Sequence, residues 1–164
     1  MNIVIISDTH RRGYRIKKVL EMHPHADLVV FLGDGADEAL PYLKAASIPY
    51  VAVAGNCDFY SDLPEEVILT LEGYRILLTH GHIGRVKEGP THLASYAYLK
   101  GCDIVLFGHT HERCELYISE PHGPLYLFNP GSLGEPRCGN PSFGHLNLSK
   151  QGVLFSHGEL PPEY

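Results

Sequence analysis

Long basic runs are missing from this chain. It has 13 Lys and Arg against 19 Asp and Glu, a formal net charge of −6, and nowhere more than two basic residues in a row. Proteins that grip a nucleic-acid polymer or an anionic membrane carry a basic patch, so the composition argues against both partners. Long apolar runs are missing too, and none approaches the roughly 20 residues that a membrane-crossing helix needs. Met1 leads straight into a strand-like stretch without a basic n-region or a small-residue cleavage site, so no secretory signal is expected. The four cysteines, Cys57, Cys102, Cys114 and Cys138, form no CxxC pair and no dense framework. They are expected to be free thiols in a cytoplasmic protein. No internal repeat, low-complexity tract or linker interrupts the 164 residues, which are expected to form one domain, 1–164, with a polar, proline-bearing flexible tail over 159–164.

What the chain has in excess is histidine, 11 residues, and their placement matters more than their number. Asn2 to Ile6 is a short β-branched apolar run of the kind buried on both faces of a sheet, and it breaks abruptly into Ser7-Asp8-Thr9-His10. Asp8 and His10 are two apart, so a continuing strand would point both to one side. Ile16, Val19 and Leu20 then give Arg15 to Met22 helical spacing. Leu28 to Leu32 reads as a second buried strand, ending at Gly33-Asp34-Gly35. A helix over Asp37 to Ala46 and a strand over Pro49 to Val53 follow, the strand ending at Gly55-Asn56-Cys57-Asp58. This strand–loop–helix rhythm predicts a βαβ arrangement with parallel pairing.

The second half changes character. Glu72-Gly73 marks a hairpin between Glu66–Leu71 and Tyr74–Thr79, whose second arm ends at His80-Gly81-His82. Pro90 to Lys100 has helical spacing and Gly101 stands where a C-terminal cap belongs. Asp103 to Phe107 is another buried strand, ending at Gly108-His109-Thr110-His111. Two more hairpins pair Glu115–Ile118 with Leu125–Phe128 and Phe143–Leu148 with Gly152–Ser156, with Asn129-Pro130-Gly131-Ser132 between them.

Collected from the strand ends, Asp8, His10, Asp34, Asn56, His80, His109 and His111 make seven oxygen or imidazole donors, more than one ion needs. Two ions sharing a bridging carboxylate need about this many, with positions left for water or substrate. Without thiolates, such a set suits Mn²⁺, Fe, Co²⁺, Ni²⁺ or Zn²⁺ rather than a structural zinc site, and Mn²⁺ is the expected ion. Two divalent ions against two carboxylates and one hydroxide leave a formal charge of about +1, a partner for a phosphodiester monoanion.

Asp8-Thr9-His10, Gly33-Asp34, Gly55-Asn56-Cys57-Asp58, His80-Gly81-His82, Gly108-His109-Thr110-His111 and Asn129-Pro130-Gly131-Ser132 together resemble the calcineurin-like metallophosphoesterases, and within them the small prokaryotic phosphodiesterases. The resemblance covers nearly the whole chain. It implies an α/β (α+β) fold, a four-layer αββα sandwich of two mixed β-sheets flanked by helices. It also implies a dimetal centre: one ion on Asp8, His10, Asp34 and His111, the other on bridging Asp34, Asn56, His80 and His109. Acting through that centre, Asp34, Asn56 and His80 are the expected catalytic residues. The implied reaction is in-line attack on a small phosphodiester by a metal-bridging hydroxide, and a homodimer or higher homo-oligomer is a further expectation. One departure stands out: larger relatives have His after the Asn, where this chain has Cys57, a poor proton donor near neutral pH.

Around the donors, Asn129, Ser132, Arg137 and His82 are the candidate substrate-binding residues, each with a structural reading beside it: proline turn, solvated arginine, loop histidine. His23, His25, His92, His122, His145 and His157 have no matching partners and read as surface or structural groups. Two competing functions use the same fold. One is a non-catalytic scaffold like the retromer subunit, which lacks the full donor set; the other is a phosphomonoesterase or nuclease with the same centre.

Overall fold

The computed structural model describes residues 1–119 and 122–161. Its strands are β1 (Asn2–Ile6), β2 (Leu28–Phe31), β3 (Tyr50–Ala52), β4 (Glu66–Leu71), β5 (Tyr74–Thr79), β6 (Ile104–Leu106), β7 (Arg113–Ile118), β8 (Leu125–Pro130), β9 (Ser142–Ser149) and β10 (Gly152–Glu159). Three α-helices, α1 (Tyr14–Met22), α2 (Ala36–Ala45) and α3 (Thr91–Leu99), and one short 3₁₀ turn at Val86–Glu88 complete the described elements.

The strands form two five-stranded sheets, ordered β10-β9-β1-β2-β3 and β4-β5-β6-β8-β7. Both are mixed. In one, β1, β2 and β3 run parallel and β9 is antiparallel to β1. In the other, β5, β6 and β8 run parallel with antiparallel edges β4 and β7. A strand's side chains alternate between faces, and that alternation builds the layers. Ile3, Ile5, Leu28 and Val30 point between the sheets and meet Ile76, Leu78, Ile104, Leu106 and Phe128. The alternate residues Val4, Ile6, Val29 and Phe31 point outward under Ile16, Val19, Ala39 and Leu43 of α1 and α2. On the far side Leu77, Val105 and Leu127 lie under Leu93, Ala94 and Ala97 of α3. The result is the four-layer αββα sandwich, with apolar contact across each of its three interfaces.

Four details depart from the sequence expectation. The second strand stops at Phe31, one residue early, and α2 begins at Ala36. Asn129 and Pro130 belong to β8 instead of a turn. The segment from Glu159 is not all tail: Glu159 pairs with Ser142 at the end of β10, and Leu160 is buried with its N–H donating to Pro141 O. Residues 162–164 lie outside the described residues. Finally, β1 does not continue through Asp8 and His10. It ends at Ile6, and both residues adopt positive φ, 55° and 38°.

Phe128 holds the two sheets together from the middle. It is fully buried, its ring stacks on Phe155 at 4.6 Å and on His157 at 4.5 Å, and a Cβ on Gly144 would lie 2.4 Å from it. Phe128→Ala is expected to lower unfolding free energy by about 3–5 kcal/mol, the range for deleting a large buried ring. Urea denaturation checks it; a loss below about 1 kcal/mol would show that the sheets do not depend on this contact.

Candidate metal centre

Parallel strands deliver their following loops to one edge of a sheet. Here the loops after β1, β2 and β3 meet those after β5 and β6 across the sandwich. The first two are stitched together by backbone bonds, Asp8 N–H to Gly33 O (2.9 Å) and Thr9 N–H to Asp34 O (2.9 Å). The opposite pair is joined by Gly108 N–H to His80 O (3.1 Å). Glycine is required where these loops touch: a Cβ on Gly55 would lie 2.1 Å from Asp34 Oδ1, and one on Gly108 would lie 2.6 Å from Asp8 Oδ2.

All seven predicted donors come to this edge, in overlapping clusters. Asp8, His10 and His111 offer donor atoms within 4.8 Å of one another, and so do Asp34, His80 and His109. Asn56 joins the second group through Oδ1, 3.1 Å from His80 Nε2. Asp34 stands between the groups, its Oδ2 3.3 Å from His80 Nε2 and 3.7 Å from His10 Nε2. Cys57 Sγ lies with His10 and Asp34 in a third such cluster.

The donors are aimed from behind. His80 Nδ1–H donates to Leu32 O (2.7 Å) and His111 Nδ1–H to Glu135 O (2.8 Å), which leaves each Nε2 lone pair facing the centre. Asp8 Oδ2 accepts from the Ser7 hydroxyl and from His109 N–H, while Asp34 Oδ1 accepts from Cys57 N–H (2.8 Å).

The donor nitrogens crowd one another. His10 Nε2 and His111 Nε2 face each other at 3.0 Å, as do His109 Nδ1 and His80 Nε2 at 3.2 Å. Asp8 Oδ1 is buried and accepts no hydrogen bond, although Nε2 of His111, His10 and His80 lie 3.2, 3.8 and 3.9 Å away. Converging lone pairs around a buried, unpartnered carboxylate oxygen fit divalent ions bound by oxygen and nitrogen.

Electrostatics follow from the crowding. Burial pushes the Asp8 carboxyl up, but the imidazoles of His10, His111 and His80 outweigh it and hold it far below the carboxylate range. Asp34 shows the same balance, burial against His80 and the Cys57 N–H, and comes to about 2. Burial and the charge of His80 lower His109 to about 4. Burial, then the neighbouring Asp34, raises the Cys57 thiol to about 11.

The predicted substrate-binding residues separate. Asn129 is fully buried, and its side chain is occupied: Nδ2 donates to Gly108 O and Thr110 Oγ1, and Oδ1 accepts from Gly131 N–H. Ser132 is buried as well, donating to Asp8 O and accepting from Glu135 N–H. Both are therefore corrected from substrate contacts to supports of the donor loops. Arg137 is exposed and borders an open depression of about 320 Å³ with Lys87 and Thr110, its N–H donating to His111 O. His82 lies beside the second group, ring centroids 5.5 Å from His80 and 6.2 Å from His109, and its buried Nδ1 has no partner.

Sequence reasoning gave no role to Asp58. Its carboxylate accepts four backbone N–H groups, those of Asp34, Gly35, Ala36 and Gly55, each at 2.8 Å. One anion thus ties the loop carrying Asp34 to the loop carrying Asn56. The signal available was chemical: an Asp beside Gly and Asn in a strand-end loop is a residue that collects backbone donors.

This fold and this donor set define a class of phosphoester-cleaving metalloproteins. Residues 1–151 match the calcineurin-like phosphoesterase superfamily domain, and the chain belongs to that family. It is 35% identical to the probable metallophosphoesterase YsnB of Bacillus subtilis over 139 residues, 84% of this chain and 78% of that one. It is 34% identical to the phosphodiesterase YfcE of Escherichia coli, covering 94% and 91% of the two chains. Among solved structures, a conserved protein of Streptococcus pneumoniae superposes with a TM-score of 0.82 at 23% identity, covering 96% of this chain and 88% of that one. Vps29 of Entamoeba histolytica complexed with zinc superposes with a TM-score of 0.77 at 22% identity, covering 97% and 99%. The family implies divalent metal ions.

Removing the clamp behind the donors tests whether it matters. Asp58→Ala is expected to weaken Mn²⁺ binding by about 10–100-fold while far-UV circular dichroism is retained. Calorimetric titration of the metal-stripped protein measures it, and unchanged affinity would refute the clamp.

Proposed function

We propose that this protein is a dinuclear metal-dependent phosphodiesterase acting on small phosphodiesters. The observation that carries the reading is the pair of donor groups with Asp34 between them. Asp8, His10 and His111 would hold one ion, Asn56, His80 and His109 the other, and Asp34 would serve both. When bound, the ions polarise the phosphoryl oxygens and supply an attacking water made acidic enough to ionise near neutral pH. Mn²⁺ is the ion we favour; Ni²⁺, Fe, Co²⁺ and Zn²⁺ suit the same thiolate-free donors.

The chain's own residues set the rest of the chemistry. Asp8 and Asp34 neutralise half the charge of two divalent ions, so the mouth stays cationic in an acidic protein. Lys87 and Arg137 line the depression beside His109 and His111 together with Glu112, which lies 3.7 Å from Arg137, so two cations against one anion leave a net positive charge toward a substrate anion. Cys57 stands where larger relatives have His, and a thiol is a weak general acid near pH 7. Departure of a basic alkoxide is therefore slow. The four free cysteines support a reducing compartment, and we place the protein in the cytoplasm. Among the described residues, no helix is long and apolar enough to cross a membrane.

Vps29's shared fold supplies a second reading, a scaffold that uses its surface. Hydrolysis of an aryl phosphodiester by metal-stripped protein, after adding Mn²⁺, Ni²⁺, Mg²⁺ or Zn²⁺, separates the two. Metal-dependent turnover is expected, and Asp34→Asn should lose at least about a hundredfold of it, more than the loss of an outer support costs. Metal binding without turnover for any ion would favour the scaffold. Across a series of diesters, rates should fall steeply as leaving-group pKa rises; a flat profile would mean that another group delivers the proton.

A further inference from the structure

Five of the six phenylalanines, Phe31, Phe107, Phe128, Phe143 and Phe155, are buried at 6% exposure or less. Phe59 is 82% exposed, and the adjacent Tyr60 is 95% exposed. Leaving two large rings in water forgoes the burial that every other phenylalanine obtains. They stand on the loop that carries Asn56 and Cys57, and the base of that loop is fixed. Asp58, the residue before Phe59, holds four backbone N–H groups, and Ser61 N–H donates back to Asp58 O (3.1 Å). Cys57 Sγ is in the cluster with His10 and Asp34, and two residues of chain put the Phe59 Cα within about 7 Å of the Cys57 Cα. The rings thus stand in solvent on the loop that also carries Asn56 and Cys57, directly after the residue that fixes its base.

The geometry points to Phe59 and Tyr60 as a stacking platform for a flat ring on the substrate, and so to phosphodiesters of nucleosides as the class this site takes. The inference deepens the phosphodiesterase reading and rests on it. A nucleobase offers a π-face to either ring whatever its sequence identity. Its ribose is the spacer that would link a base on these rings to a phosphate at the metal donors. The phosphate itself belongs to the metal centre, so the platform adds affinity for the ring without changing the chemistry at phosphorus.

Two product-like probes isolate the ring: adenosine 5′-monophosphate and ribose 5-phosphate, titrated calorimetrically into Mn²⁺-loaded protein. The nucleotide is expected to bind about tenfold tighter than the sugar phosphate, the scale of one stacked base. Phe59→Ala/Tyr60→Ala should abolish that difference and leave ribose 5-phosphate binding unchanged. Equal affinity of the two probes for the unaltered protein, including no binding of either, overturns the platform, as does a difference that survives the substitutions. Light scattering is run alongside; a dimer that falls apart in the double variant would make the rings a subunit contact and overturn the proposal. Metal-dependent hydrolysis of methyl 4-nitrophenyl phosphate is the separate check on the underlying reading. Its absence fails that reading, whereas its presence with equal probe affinities fails only the platform.

Discussion

Two carboxylates held ionised at one buried point are the constraint that the rest of the structure answers. Asp8 is fully buried and Asp34 nearly so, and each would lose its charge in an apolar setting without compensation. Compensation comes in two layers. Behind each carboxylate one oxygen is satisfied by fixed donors, Ser7 and His109 N–H for Asp8 and Cys57 N–H for Asp34. In front, the other oxygen is left to imidazoles whose remaining nitrogens are turned by main-chain carbonyls. Protonated imidazoles balance the charge only in part and bring ring nitrogens against one another. Divalent ions would balance it and separate them, so protons and metal compete for the same lone pairs.

That concentration of donors requires a backbone the strands cannot supply. Eight non-glycine residues among those described have positive φ, and five of them, Asp8, His10, Asp34, His109 and His111, are predicted ligands. Each such conformation costs on the order of 1 kcal/mol relative to the right-handed one. Asp and His tolerate it better than most residues, and they are also the residues with donor atoms to offer. Strain of this kind persists where the surroundings over-determine it. Here the surroundings are the apolar interfaces of the sandwich, the four N–H groups on Asp58, and the buried Asn129 and Ser132.

Much of this was legible in the sequence, and the reason is periodicity. Buried parallel strands read as unbroken apolar runs, so Ile3–Ile6, Val29–Phe31 and Ile104–Leu106 announce themselves and their polar ends become conspicuous. The hairpin at Glu72-Gly73 is equally local: both residues have positive φ, 51° and 90°, as its turn demands. The supports were not legible, because their roles are set by long-range contact. Ser132 donates to the carbonyl of Asp8, 124 residues away, and nothing near it in sequence predicts that. Asp8 and His10 were brought together by the expected neighbours but through a left-handed turn, since a period-two pattern cannot distinguish a continuing strand from a loop that returns its side chains to one side. Leu160 was hidden for a related reason: one apolar residue among polar ones has no period to reveal that it packs.

The centre and its rim obey different physics. Donor atoms must converge, so their loops are pinned to strand ends and to one another, and little can vary there without losing the ion. Around that centre stand residues that the core constrains less: Phe59 and Tyr60 on the loop after β3, Lys87 in the 3₁₀ turn, and exposed Arg137. On the proposed reading, reactivity toward phosphorus belongs to five strand ends and the choice of diester to exposed side chains. The stacking role proposed for Phe59 and Tyr60 would give two rings left in water a function at that rim.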